Sequence, residues 1–260
     1  MPIRKGIPYK MRNIIIGDVH GCLVELKELI HQLELYPSDC LFFIGDLIDK
    51  GPDSVGVVKY VYELSKLYTT VLILGNHEEK FLRFLYNKAN NKKALAEMKT
   101  TPDFEILAST LLVDEIEFLK QSYYTFNIKE QNILLLHGGI TGNCILNLSI
   151  NYQYQTHTSK QFKGLDLITK TRHLDNSGKF VSLGQENEQT QFWAETYDGK
   201  YGKVIFGHNP FMQATPKYFK NAIGIDTGCV FGGYLTALII TEHKIEYFAI
   251  TAKNKYSIKH

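Results

Sequence analysis

The 260-residue chain has few prolines, few cysteines and little net charge, and each scarcity removes a class of protein. Seven prolines in a chain that is 44% hydrophobic exclude a collagenous or disordered protein. The four cysteines are scattered without a Cys-x-x-Cys pair, which argues against a zinc knuckle or a disulfide framework and predicts small buried thiols. With 29 basic and 27 acidic residues, the formal charge of +2 indicates no nucleic-acid groove.

Long hydrophobic runs are also missing near the start of the chain. The apolar stretch 14–16 is far shorter than the roughly 18 residues of a membrane-spanning helix or the roughly 7 to 15 of a signal-peptide core. We therefore expect a cytoplasmic protein with no membrane partner. The length predicts one domain over residues 1–260, with the polar residues 1–10 outside the ordered fold.

Strand-like and helix-like segments alternate in the first third of the chain. Three apolar runs at 13–17, 40–45 and 70–75 are separated by segments 23–33 and 55–64, in which apolar residues recur at helical spacing. Continuous apolar strands joined by amphipathic helices predict a parallel sheet covered on both faces. The carboxyl ends of these strands then share one edge, where ligands bind in such sheets.

The rest of the chain predicts a helical insertion followed by more strands. Helices are predicted at 78–88 and 104–118, with the polar stretch 89–102 between them, and residues 86–122 are interpreted as the insertion. Residues 141–162 lack a clear period and are interpreted as a long loop. A hairpin is predicted from 169–173 and 179–183 around a turn at 175–178. Further strands are predicted at 123–129, 133–137, 204–207, 222–226, 234–241 and 244–250.

Residues capable of binding metal follow the predicted strands in five short motifs. The motifs GDVHG, GDLIDKG, GNHE, HGG and GHNP contribute Asp18, His20, Asp46, Asp49, Asn76, His77, His137 and His208. Oxygen and imidazole donors without thiolate suit Mn²⁺, Fe or Zn²⁺, and these donors exceed what one ion needs. The sequence therefore predicts two divalent ions, with Mn²⁺ the first choice.

These five motifs, in this order, resemble the signature blocks of the calcineurin-like metallophosphoesterases, specifically the phosphoprotein phosphatase branch. The resemblance covers residues 13 to about 250. The stretch from WAETYDG through GHNP to IDTGCVFGG resembles bacterial members related to symmetrical diadenosine tetraphosphatases. The resemblance implies an α/β fold, the four-layer αββα sandwich with two mixed sheets, and hydrolysis of phosphoesters by a water held between two metal ions.

The resemblance also implies a role for each metal ligand. Asp18 and His20 would hold the first ion, Asp46 would bridge both ions, and the second ion would be completed by Asn76, His137 and His208. A bridging carboxylate is needed because two dications roughly 3.5 to 4 Å apart repel each other.

Two further residues are implied to act in proton transfer. His77, next to a ligand but not itself assigned to metal, would protonate the leaving-group oxygen. Asp49 would orient that imidazole and raise its pKa.

Substrate contacts are implied at three positions. Lys50 stands where most phosphoprotein phosphatases have arginine, so that a point charge replaces a bidentate fork. Arg172 is the only arginine between His137 and His208, the interval in which the family supplies its second phosphate-contacting arginine. Asn76 is expected to contact the substrate as well as the metal.

The substrate class stays open between two main alternatives. The first is phosphoserine or phosphothreonine in proteins, the family's usual substrate. The second is a dinucleoside polyphosphate or a related nucleotide ester. An RNA-end phosphatase is disfavoured because the chain has no kinase or ligase module, and a catalytically silent scaffold is disfavoured because every ligand position carries a competent side chain.

Three other residues keep two interpretations each. Trp193 and Tyr197 pack in the core or stack on a nucleobase, with packing preferred. Asp226 either forms a turn or supports a metal-bound histidine.

Overall fold

The structure is a computed structural model that describes residues 11–154, 164–242 and 244–258. The expectation for residues 1–10 and the last part of the predicted loop 141–162 lie outside the described residues. The strands are β1 (Asn13–Ile16), β2 (Cys40–Phe43), β3 (Thr69–Leu72), β4 (Tyr123–Ile128), β5 (Ile133–Leu136), β6 (Tyr152–Gln153), β7 (His173–Leu174), β8 (Phe180–Val181), β9 (Gln191–Phe192), β10 (Lys203–Phe206), β11 (Lys217–Tyr218), β12 (Ala222–Gly224), β13 (Tyr234–Ile240) and β14 (Ile245–Thr251). The helices are α1 (Leu23–Gln32), α2 (Ser54–Ser65), α3 (Asn76–Asn90), α4 (Lys92–Ala96), α5 (Pro102–Thr110), α6 (Val113–Lys120) and α7 (Trp193–Thr196).

Two large mixed sheets and one small sheet organise these strands. The first sheet has the order β14-β13-β1-β2-β3, in which β1, β2 and β3 are parallel. The second has the order β11-β12-β10-β5-β4-β6, in which β5, β10 and β12 are parallel. A third sheet, β8-β7-β9, is antiparallel. The predicted fold class, a sandwich with two mixed sheets, is confirmed.

Alternation along the strands gives each large sheet an inner and an outer face. Ile15 and Phe42 from the first sheet and Leu135 and Ile205 from the second belong to one buried cluster. Their chain neighbours, such as Ile14, belong to a separate cluster. Because side chains alternate across a strand, the first cluster lies between the sheets and the second lies on their outer faces.

Different layers cover the two outer faces. Helix α1 contacts β13 and β14, and α2 contacts β3, so helices cover the first sheet. On the second sheet the indole of Trp193, in the four-residue helix α7, lies 4.9 Å from the ring of Phe206. Trp193 is 1% exposed, so the packing interpretation of this residue is the one observed.

Several elements differ from the predicted ones. The helix predicted over 104–118 is split into α5 and α6 because Leu111 and Leu112 adopt extended backbone conformations. The polar stretch contains α4, which begins after Asn91, whose side-chain oxygen accepts the N–H of Ala94. The predicted hairpin is present but shorter, and the short strands β6, β9 and β11 were not predicted.

The remaining general predictions concern cysteines and membranes. Three cysteines are buried and Cys40 is partly buried, and all four are free thiols. None of the described helices combines the length and the hydropathy needed to cross a bilayer.

The apolar layer between the sheets contributes to the stability of the fold. We predict that Ile205→Ala lowers the free energy of unfolding by about 2 to 5 kcal/mol, because it leaves a cavity where the side chain is fully buried. Urea unfolding followed by circular dichroism measures the change. The matched control is Leu67→Ala, at a side chain that is 71% exposed. An unchanged midpoint for Ile205→Ala would contradict this packing.

Candidate active site

The metal-capable residues follow five parallel strands, and their side chains meet at one edge of the sandwich. Asp18 follows β1, Asp46 follows β2, Asn76 follows β3, His137 follows β5 and His208 follows β10. The two sheets present the carboxyl ends of these strands to the same place, which brings residues 190 positions apart into contact. All except Asn76, which is partly exposed, are buried.

The carboxylate of Asp46 lies at the centre of this group. Its Oδ2 is 3.3 Å from His137 Nε2, 3.4 Å from His20 Nε2 and 3.8 Å from His77 Nε2. Its Oδ1 accepts the backbone N–H of His77 at 3.1 Å. One carboxylate therefore faces imidazoles from both sheets.

The donor atoms around Asp46 fit two cations that share its carboxylate. His20, Asp46 and His77 each offer a ligand atom within 4.8 Å of the others, and so do Asp46, His137 and His208. Asp18 Oδ1 is buried without a hydrogen-bond partner, which leaves a carboxylate oxygen free to bind a cation. Mixed nitrogen and oxygen donors of this kind suit Mn²⁺, Fe or Zn²⁺.

The structure groups these residues in a slightly different way from the sequence interpretation. The second predicted set is brought together, with Asn76 Oδ1 at 3.2 Å from His137 Nε2. In the first set His77 stands next to His20 and Asp46. Asp18 instead accepts the backbone N–H of His208 through Oδ2 at 2.9 Å. Asp18 thus connects the two halves of the site.

Burial and neighbouring charges shift the pKa values of the buried acids and bases of the site in different directions. Burial alone would raise the pKa of Asp46, but His137 and His77 outweigh it and hold that pKa well below its usual range. Burial and the nearby Asp226 raise the pKa of Asp18 well above its usual range. Burial lowers the pKa of His137, but Asp46 and Asp18 outweigh it and raise that pKa to about 9.

Two other imidazoles are held in their neutral form. Burial first, and then the charge of Lys50, lowers the pKa of His20 well below its usual range. Burial and Arg172 do the same to His208. A neutral imidazole is the form that binds metal, so these two residues need to lose no proton when an ion arrives.

The loops that carry these side chains adopt unusual backbone conformations. Positive φ angles occur at His20 (47°), Asp46 (52°), Asp49 (70°), Lys50 (71°) and His208 (67°). Such conformations cost on the order of 1–3 kcal/mol each for a residue with a side chain, and persist only where the surroundings hold them. The site is therefore assembled against local backbone preference.

Two glycines allow the carboxylates to approach the backbone closely. A Cβ on Gly75 would lie 2.2 Å from the nitrogen of Asp46, and a Cβ on Gly207 would lie 2.1 Å from Oδ1 of Asp18. Neither glycine has a positive φ. These two glycines make room for the carboxylates of Asp46 and Asp18.

Glu78 holds the loop of the central carboxylate, a function the sequence analysis did not assign. Its Oε2 accepts the N–H groups of Asp46 and Gly75, and its Oε1 accepts those of Leu47 and Ile48. Burial and Asp46 raise the pKa of Glu78 to about 7. The available signal was a glutamate three residues after the N-cap Gly75, a spacing at which its carboxylate can accept the N-cap N–H.

His77 and Asp49 form the pair expected for proton transfer. His77 Nδ1 lies 2.7 Å from Asp49 Oδ2, and the ring of His77 packs edge-on against His20. The backbone N–H of Asp49 donates to Ser54 Oγ and to Asp103 Oδ2, which fixes the loop. Burial would raise the pKa of Asp49, but His77 outweighs it and lowers that pKa.

The predicted substrate residues line a cavity of about 490 Å³ above these ligands. Lys50 Nζ is 3.0 Å from His20 Nε2. Arg172 donates from Nε to His208 Nε2 at 2.9 Å and from Nη2 to the carbonyl of His208 at 3.0 Å. Asp226 also lines the cavity, and its Oδ1 accepts the N–H of Gly228, the turn contact considered from the sequence.

We predict that Glu78→Gln weakens metal binding by about 10- to 100-fold, because an amide nitrogen would face two backbone donors and release the Asp46 loop. Metal content after dialysis against a graded chelator series, measured by elemental analysis, gives the affinity. Glu63→Gln, at an exposed glutamate of α2, is the control. Wild-type retention of metal by Glu78→Gln would show that Glu78 does not position the ligand.

Comparison with known proteins places this site in a family. A family profile described as calcineurin-like phosphoesterase matches residues 11–212. The chain is 32% identical over 262 residues to the asymmetrical bis(5′-nucleosyl)-tetraphosphatase PrpE of Oceanobacillus iheyensis, covering 95% of this chain and 94% of the relative. It is 30% identical to the protein of the same name from Halalkalibacterium halodurans, covering 94% and 95%.

Solved structures agree with these sequence matches. The crystal structure of a candidate diadenosine tetraphosphatase is similar with a TM-score of 0.70 at 26% identity, covering 95% of this chain and 97% of the other. A serine/threonine phosphatase from Saccharomyces cerevisiae has a TM-score of 0.62 at 14% identity, covering 94% and 81%, which shows a shared fold alone. The chain belongs to the calcineurin-like phosphoesterase family and is a metal-dependent phosphoester hydrolase.

Proposed function

We propose that the protein hydrolyses dinucleoside polyphosphates at the site around Asp46. This is the second of the two substrates that the sequence left open. The observation that carries it is the likeness, over nearly the whole chain, to relatives named bis(5′-nucleosyl)-tetraphosphatase. Those relatives are named asymmetrical, whereas the C-terminal motifs suggested symmetrical enzymes, so the bond that is cleaved is left to the experiment below.

The charge of the cavity supports a substrate with several phosphates. Among the described residues that line it, Lys50, Lys170 and Arg172 carry the positive charges. Three cations in one cavity offer donors to the oxygens of more than one phosphate group. The volume of the cavity, about 490 Å³, lies within the range of small-molecule sites.

The metal ligands divide between two ions in this proposal. Asp18 and His20 would hold one ion, His137, His208 and Asn76 would hold the other, and Asp46 would be shared. Such ions would supply Lewis-acid stabilisation of the phosphoryl group and lower the pKa of an attacking water. The protein's own part is to fix the positions of these donors through Glu78 and the left-handed loop residues.

His77 and Asp49 act on the leaving group. As the general acid, His77 acts as the imidazolium: its Nδ1–H donates to Asp49 at 2.7 Å, and its Nε2–H faces the reaction. Nε2 gives its proton to the departing phosphate oxygen. Because the phosphate that leaves a polyphosphate chain is already stabilised, this proton matters less there than for an alkyl ester.

Arg172 and Lys50 orient the phosphates. Both stand against metal-binding imidazoles, at 2.9 Å from His208 and 3.0 Å from His20, so their charges border the reacting centre from two sides. A bound phosphate would accept hydrogen bonds from the N–H groups of Arg172 and Lys50 that now face the imidazoles of His208 and His20. Asn76, at the start of α3, offers its amide to the same phosphoryl group.

The first experiment compares substrates. We expect the Mn²⁺-loaded protein to hydrolyse diadenosine tetraphosphate faster than a phosphopeptide mixture, since the cavity carries more positive charge than one phosphate requires. Anion-exchange chromatography of the products measures both rates and distinguishes AMP plus ATP from two ADP. Asp46→Asn is the blank for contaminating enzymes. Faster turnover of phosphopeptides would return the assignment to a protein phosphatase, and no metal-dependent turnover above the blank would indicate a silent scaffold.

The role of His77 makes a second prediction. We expect His77→Asn to retain both metals and to reduce turnover of an alkyl phosphate by about 10²- to 10⁴-fold, with a smaller loss on p-nitrophenyl phosphate, whose leaving group needs no proton. Steady-state kinetics with metal analysis of the same samples measures this. His31→Asn, at an exposed position of α1, is the control. Equal losses on both substrates would refute the general-acid role, and loss of metal would assign His77 to metal binding.

A further inference from the structure

We propose that the hairpin formed by β7 and β8 carries a nucleoside subsite, built from Phe180, Val181 and Leu183. This inference rests on the proposed function and specifies where its substrate binds beyond the phosphates. The three side chains line the same cavity as the metal ligands, although the floor of that cavity is cationic.

The apolar residues lie at the rim of the cavity and remain open to solvent. Leu183 is 70% exposed, and Ile258, which also lines the cavity, is 65% exposed. Phe180 and Val181 are only partly buried. When a ligand covers these exposed apolar side chains, their surface is removed from water, and this burial contributes to the free energy of binding.

The hairpin ties this rim to the phosphate-facing guanidinium. His173, the residue after Arg172, is paired with Val181, and Leu174 is paired with Phe180. The carbonyl of Arg172 accepts the N–H of Trp193 in the core at 3.0 Å. Backbone hydrogen bonds to a buried element fix the position of the hairpin relative to Arg172. The part of a ligand that follows a phosphate bound by Arg172 would therefore lie along the hairpin.

A second aromatic residue faces the same space. Phe231 lines the cavity, and Lys50 Nζ lies 5.6 Å from the centre of its ring. The aromatic ring and the ammonium group thus stand together on the side of the cavity that also includes Ile258. If Lys50 binds a phosphate, the attached ribose and base would lie close to the apolar side chains of Phe231 or of the hairpin.

A nucleoside fits this arrangement better than a phosphopeptide. A nucleobase is flat and rigid, and it gains stacking energy on aromatic and aliphatic surfaces with little loss of conformational freedom. A peptide would need partners for its backbone N–H and C=O groups. The rim residues Phe180, Val181 and Leu183 offer apolar side chains instead.

The test compares a ligand with a nucleoside and one without. Methylene-bridged, non-hydrolysable analogues of ATP and of tripolyphosphate are titrated at the same excess of Mn²⁺ by calorimetry, so that the ligands survive. We expect Leu183→Ser to weaken ATP binding by about fivefold and Leu183→Trp to strengthen it by about fivefold. Tripolyphosphate binding should stay unchanged in both variants.

Because Leu183 is exposed, its replacement is not expected to unfold the protein, and misfolding would not account for such changes. The matched control is Leu67→Ser, at a leucine of similar exposure that is distant in sequence. Equal effects on ATP and tripolyphosphate, or no effect on either, would overturn the subsite. A change confined to the KM of phosphopeptides would assign the wall to a peptide. If wild-type protein hydrolyses diadenosine tetraphosphate while Leu183 variants bind ATP normally, only the subsite fails, since the proposed function is measured separately.

Discussion

The Asp46 carboxylate, placed among imidazoles from two sheets, is the interaction on which the site depends. Its Oδ2 lies within 3.4 Å of both His137 and His20, which come from different sheets. A displaced Asp46 would separate the donors into two incomplete halves. The position of one oxygen therefore requires that both sheets pack in the observed register and that the loop after β2 keeps its conformation.

That loop is stabilised by hydrogen bonds instead of by local preference. Asp46, Asp49 and Lys50 all have positive φ, which a residue with a side chain adopts at a cost. Glu78, in the first turn of α3, offsets this cost because its carboxylate accepts the backbone N–H groups of Asp46, Leu47 and Ile48. The same helix presents Asn76 and His77, so ligand positions and loop conformation are fixed by one element.

The small third sheet gives the site a wall that the two large sheets do not provide. It carries Arg172 at its base and Phe180, Val181 and Leu183 towards the cavity rim. Charge near the metal ligands and apolar surface farther out suit a substrate that is ionic at its reacting end and flat at the other. In our proposal the short hairpin of β7 and β8 selects the substrate, and the loops of the sandwich carry out the chemistry.

The sequence by itself determined the order of the first strands and helices, the five motifs and the family, because strand periodicity and short-range spacing are local properties. It also predicted the pair His77 and Asp49 as neighbours. It did not determine that Asp18 would contact His208, or that Glu78 would hold the Asp46 loop. Those contacts depend on how β1, β2 and β10 from two sheets are brought together, and the packing that does so is the sum of many weak burial terms spread over the whole chain.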